Sequence, residues 1–255
     1  MHALPRATAA LALAGLAGCA GPVDLSPLFN DGEAYSRQRF SQQAVMPPAA
    51  ALVPAAPEAL PFERLTLTGE MQSASHASRQ ASYRSRFEIS YIRDGDNGNV
   101  RMIERHDSNG LPATASYALQ SHGLVNLAFQ TGEVSRRQAM PIQYVLSASH
   151  WDPLGEIRAG QHYRYVMRLG SRSPLDATYA MQIDCEVFAA HPAGNVIPGA
   201  RGRAFPMECS YINDNGVKNR EASYLWLEEQ RLAVLRQLRL PSKQVDFLYD
   251  RFEQQ

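Results

Sequence analysis

Lysine is nearly missing from this 255-residue chain: Lys218 and Lys243 stand alone among basic residues that are otherwise arginine. Tryptophan occurs twice and cysteine three times. Neither sign of charge is in surplus, Lys+Arg 25 balancing Asp+Glu 25. That balance leaves no basic footprint for nucleic acid and no electrostatic draw toward an anionic surface. Nowhere is there an apolar run of the ~20 residues that a membrane-spanning helix needs. The signatures of common chemistries are missing as well. No Gly-x-x-x-x-Gly-Lys loop or Gly-x-Gly-x-x-Gly turn is present to cradle a phosphate. No Gly-x-Ser-x-Gly elbow nominates a serine nucleophile. His76, His106, His122, His150, His162 and His191 are scattered, without an i,i+4 pair or a His-Glu-x-x-His run to hold zinc. Asp94-Gly95-Asp96-Asn97-Gly98 has the residue types of a calcium loop, but Arg105 stands where its bidentate glutamate belongs, and a hairpin turn is the better reading. These absences predict a protein that is not an enzyme and carries no resident metal or cofactor.

What is present begins at the N-terminus. After Arg6 the sequence runs without charge from Ala7 to Gly18. A run of that length fits the apolar region of an export signal and is too short to span a bilayer. It ends in Leu16-Ala17-Gly18-Cys19, which resembles the lipobox of bacterial lipoproteins. The resemblance implies that residues 1–18 are a signal peptide, that Cys19 receives a diacylglyceryl thioether, and that acyl chains then hold the protein on a membrane. Ala20 is not the aspartate associated with inner-membrane retention, so the resemblance points to the outer membrane with the body in the periplasm.

Residues 19–60 read as a tether. Pro22, Pro27, Pro47, Pro48, Pro54 and Pro57 punctuate them, and prolines remove backbone donors and restrict the residue before. A polar piece from Asn30 to Gln43 has room for a turn or two of helix around Tyr35 and Phe40, within an otherwise semi-extended stalk.

From residue 61 to 255 the pattern is that of one β-rich domain. Tyr83, Ser85, Phe87, Ile89 and Tyr91 alternate with Arg84, Arg86, Glu88 and Ser90, the period of a half-buried strand. His162–Leu169 and Thr178–Phe188 alternate in the same way, and Asp214-Asn215-Gly216 is a strong hairpin turn. Turn signals about every 8–12 residues predict an antiparallel β-sandwich or a barrel-like meander. Glu228–Leu240 fits a strand or a short C-terminal helix, because Leu232, Val234, Leu238 and Leu240 suit the first and Leu227, Val234, Leu235 and Leu238 the second.

With Cys19 lipidated, Cys185 and Cys209 remain as a pair in an oxidising compartment, where a disulfide is the default. A loop of about 25 residues closed in this way is worth roughly 3–3.5 kcal/mol by chain entropy. The pair lacks the Cys-x-x-Cys spacing of redox sites. Tyr163, Tyr165 and Met167 share a strand face, as do Tyr179 and Met181, and a concavity lined by them suits an acyl chain. Trp151, in His150-Trp151-Asp152, is a further candidate for binding such a ligand, or else an aromatic that plugs the end of a β-core. The expected role is that of a lipid-anchored envelope protein with a structural or protein-interaction function. The alternative is a carrier or binder of lipid or another hydrophobic ligand.

Overall fold

The computed structural model describes residues 26–44, 59–76, 83–134, 138–172 and 177–255. The signal segment, Cys19, the prolines from 47 to 57 and Pro174 lie outside them. Fourteen strands follow two short helices. The strands are β1 (Arg64–Ser75), β2 (Tyr83–Arg93), β3 (Asn99–Ser108), β4 (Leu111–Ser121), β5 (Val125–Glu133), the two-residue β6 (Gln138–Ala139) and β7 (Gln143–Trp151). Then come β8 (His162–Gly170), β9 (Tyr179–Val187), the two-residue β10 (His191–Pro192), β11 (Arg203–Asn213), β12 (Lys218–Leu227), β13 (Leu232–Arg239) and β14 (Lys243–Gln254). Every pairing is antiparallel.

Two pairings turn this meander into a ring. β11 pairs with β9 as well as with β12, and β14 pairs with β1 from Leu65↔Gln254 to Ser75↔Lys243. The result is a closed 12-stranded antiparallel barrel, with β6 and β10 as short appendages. Closure satisfies the edge groups that an open sheet would expose. Of the sandwich and the barrel, the chain forms the barrel. The ambiguous stretch is a turn followed by β13, and the chain's last element is the strand β14 rather than a helix.

The alternation of β2 is realised only in part. Arg84, Arg86 and Glu88 face water while Ser85, Phe87, Ile89 and Tyr91 are buried, but Ser90 and Ile92 are buried too. There the Ser90 hydroxyl lies 3.2 Å from that of Thr66, and Ile92 belongs to the same core cluster as Leu28 and Phe40 of the N-terminal segment. This corrects the stalk expectation for residues 26–44. They form helices α1 (Ser26–Asn30) and α2 (Gly32–Phe40), packed against β3, β4 and β5. Asp31 caps α2 by accepting from the Ala34 N–H at 3.0 Å, which satisfies an orphan donor of the first turn. Leu28 and Phe40 are buried in the core; Phe40 stacks on Tyr117, whose hydroxyl donates to the Leu28 carbonyl. The Tyr35 hydroxyl donates to Gln130 Oε1 at 2.5 Å. Past the helix, the Gln42 N–H donates to Asp94 Oδ2 at 2.6 Å, and the same carboxylate faces the buried Arg101 at 3.3 Å. Burial holds the Arg101 guanidinium below its ordinary pKa, and Asp94 opposes that shift. The Asp94–Gly98 hairpin is therefore also a docking point for the N-terminal segment. At Gly98 a positive φ and the close approach of the His122 ring both require glycine.

Cys185 and Cys209 form the expected disulfide. They are directly opposed on β9 and β11, so the bond lies across one of the two pairings that close the ring. The Gly- and Pro-rich loop between these strands is not held by the disulfide alone. Ala193, Ile197, Ala200 and Ala204 are buried against Leu225, Leu227 and Leu232.

Candidate internal binding cavity

Alternation in a closed barrel sends every second side chain inward. Small and flexible inward residues leave a cavity of about 320 Å³, at the low end of the range for small-molecule sites. On β4, Ser116, Tyr117 and Ala118 line it, and Tyr117 with Ala115 also packs with the helical segment. Its apolar wall includes Ile89, Met102, Leu124, Phe129, Met167, Leu169, Met181, Ile183, Leu235 and Leu238. Methionines in such a wall fit irregular apolar shapes because their side chains are unbranched and polarizable.

Polar side chains make up nearly half of the lining residues, and several are hydrogen-bonded to one another. Gln120 Nε2 donates to Asn126 Oδ1 at 2.8 Å, and the Ser116 and Thr131 hydroxyls are 3.0 Å apart. Glu104 is hydrogen-bonded to His106 Nε2. Tyr211 and Tyr224 share a hydroxyl–hydroxyl hydrogen bond of 2.7 Å. Burial pushes the Tyr224 phenol well above its ordinary pKa, with the neighbouring Tyr211 adding to the effect. Tyr91 is raised in the same way, by burial and then by the Glu104 carboxylate. Tyr91 and Tyr224 thus stay neutral at physiological pH. Arg220, on β12, lies with its guanidinium carbon 3.6 Å from the Tyr211 ring centroid, in cation–π contact.

The structure brings only part of the sequence-nominated set to this cavity. Met181 lines it, beside Met167. Tyr163 and Tyr165 lie on the same strand as Met167 but do not line it. The Tyr163 hydroxyl donates to Gln161 Oε1 at 2.8 Å. Tyr165 is fully buried with its ring edge-on to Trp151 at 5.1 Å, and its hydroxyl is without a hydrogen-bond partner. Those two rings pack against each other. Tyr179 is half-buried near Arg220, outside the lining. Among the described residues, no group of three or more His, Cys, Asp and Glu is placed to hold a metal ion.

Sequence reasoning missed Glu104, Tyr91, Tyr211, Tyr224 and Arg220. A signal for the last existed in β12, where Arg220, Ala222, Tyr224 and Trp226 share one face. An arginine closing an otherwise apolar alternation is a charge turned toward a core.

No protein-family model matches this chain, and no curated protein matches it. Among solved structures it is similar to a β-barrel-like protein of a domain of unknown function, DUF1849, from Brucella abortus. That likeness has 9% identity and a TM-score of 0.42, and covers 77% of this chain and 100% of the other. It is also similar to a DUF1329 family protein from Desulfovibrio piger ATCC 29098, at 6% identity and a TM-score of 0.39, over 76% of this chain and 86% of the other. Likenesses this distant carry no argument about function.

Proposed function

We propose that the barrel is a non-catalytic binder or carrier of a hydrophobic ligand, presented at the bacterial outer membrane by acyl chains on Cys19, with its body in the periplasm. The observation that carries this reading is the cavity inside the closed barrel, about 320 Å³, with an apolar wall of Met, Leu, Ile and Phe side chains. A purely structural or interaction module has no use for such a space, since unfilled volume in a core costs stability at about 24 cal/mol per Å³. The paired polar groups also support it. Several lining groups, Gln120 with Asn126, Ser116 with Thr131 and Tyr211 with Tyr224, bond to one another, which leaves apolar burial as a large source of affinity.

The test is native mass spectrometry of the full chain carrying Cys19→Ala, exported so that Cys185 and Cys209 oxidise, and purified without detergent. The expected spectrum shows protein with an added mass matching an acyl-bearing molecule, lost on collisional activation. A clean apo mass, together with no uptake of dodecanoate or a neutral amphiphile of the same chain length, would overturn the carrier reading and return the barrel to a partner-binding role.

A further inference from the structure

The carrier reading leaves open what kind of ligand the cavity selects, and Arg220 bears on that question. It is the cationic side chain among those that line the cavity, and it forms no ion pair among the described residues. Its neighbours Lys218 and Glu221 pair with each other instead. A guanidinium carries five N–H donors in a planar fork suited to carboxylate and phosphate oxygens. Stacking on the Tyr211 ring fixes the plane of that fork without using the donors. Tyr211 and Tyr224, beside it, bond to each other through their hydroxyls at 2.7 Å, so one O–H of the pair is left to donate to a ligand. The one carboxylate in the lining, Glu104, is held by His106 and forms no ion pair with Arg220. The cavity thus joins an apolar wall to a preoriented cation that forms no ion pair among the described residues.

Resting on the carrier reading, we infer that the ligand is a single-chain amphiphile with an anionic head, its carboxylate or phosphate held by Arg220 and its chain in the Met- and Leu-lined cavity. The size agrees with one chain. At roughly 30 Å³ for a water-sized group, 320 Å³ admits on the order of ten methylenes, which is one medium-length chain and not two long ones.

Calorimetric titration of the full chain carrying Cys19→Ala, below the critical micelle concentration, tests the inference with three probes of equal chain length. These are dodecanoate, dodecanoyl lysophosphatidylglycerol and the uncharged glycerol monododecanoate. The expected result is binding of at least one anionic probe about tenfold or more tighter than the uncharged one, the scale of a charge-assisted hydrogen bond. The tighter of the two anions identifies carboxylate or phosphate as the head. Arg220→Gln is expected to weaken the anionic probes about tenfold or more beyond any effect on the uncharged one, while Arg220→Lys retains part of the preference. Equal affinity for all three probes, or a weakening by Arg220→Gln that is the same for charged and uncharged probes, would overturn the inference and leave the carrier reading standing. Binding of none of the three overturns both.

Discussion

Replacing Phe40 by alanine separates the two parts of this fold. Phe40 is completely buried, its ring stacked on Tyr117 at 6.0 Å and tilted against Tyr35 at 6.1 Å. Removing a fully buried phenylalanine costs about 3–5 kcal/mol. The segment that would bear this loss is short. Only Leu28 and Phe40 of residues 26–44 are large apolar side chains buried in the core, while ordering a backbone costs about 1–2 kcal/mol per residue. The docked state is thus a small difference between large quantities, and the lost contact should exceed it. The expected outcome is release of the helices with the barrel still closed. Trypsin should then cut after Arg37 and Arg39 at least about tenfold faster, since each 1.4 kcal/mol is a factor of ten. Amide protons of the helices should lose protection. The barrel, followed by Trp226 fluorescence in urea, should keep its midpoint nearly unchanged. An unaltered cleavage rate refutes the view that Phe40 anchors the segment. A fall in the barrel's own stability by the full 3–5 kcal/mol would show that helices and barrel unfold as one unit, which the reasoning denies.

Three other outcomes are expected. Cys185→Ala with Cys209→Ala opens a loop of sequence separation 24 and should lower unfolding free energy by roughly 3 kcal/mol, read from the urea midpoint; a midpoint unmoved by the substitutions would show that strand pairing alone holds this seam. His122 is buried, its Nδ1–H donating to the Arg231 carbonyl at 2.9 Å, and burial holds its pKa below the usual 6.5. The unfolded chain therefore binds a proton here before the folded one does. The stability of the neutral ring is complete above about pH 6.5 and is lost as pH falls below that value; His122→Asn, which tolerates the positive φ at this position, should flatten the slope there, and parallel pH curves for the two proteins would refute the assignment. Cys19→Ala should move the exported protein from the membrane fraction to the soluble one, and a variant that stays membrane-bound in high salt would sink the lipid-anchor proposal.

The alternating strands were legible in the sequence because a sheet with one wet face writes its period directly into the residues. β8 and β9 show this plainly, with Tyr163, Tyr165, Met167 and Leu169 on one inward face. The closing pairings were not legible, because nothing local in β9 or β14 distinguishes an edge strand from one paired to a distant partner. The helical turns around Tyr35 and Phe40 were legible, but their docking on the barrel was not, for a related reason. α2 carries only scattered apolar residues, and its burial comes from what β3, β4 and β5 offer it rather than from a periodic face of its own. The cavity was half visible. Met181 belonged to a recognisable apolar face, whereas Arg220 and Glu104 acquire their roles only when the ring brings β12 and β3 around a common space.

The pairing of β14 with β1 also sets a clock. β1 is made early and β14 last, so one flank of β1 stays without its final neighbour until the rest of the barrel sequence has been produced. During that interval the nascent sheet has an open edge at each end, each a template for a stray strand of another molecule. Residues 243–254 act as the latch: until they dock, there is no enclosed interior for a ligand to occupy. Losing this one strand would cost more than its own hydrogen bonds, because it would turn a vessel back into a ribbon.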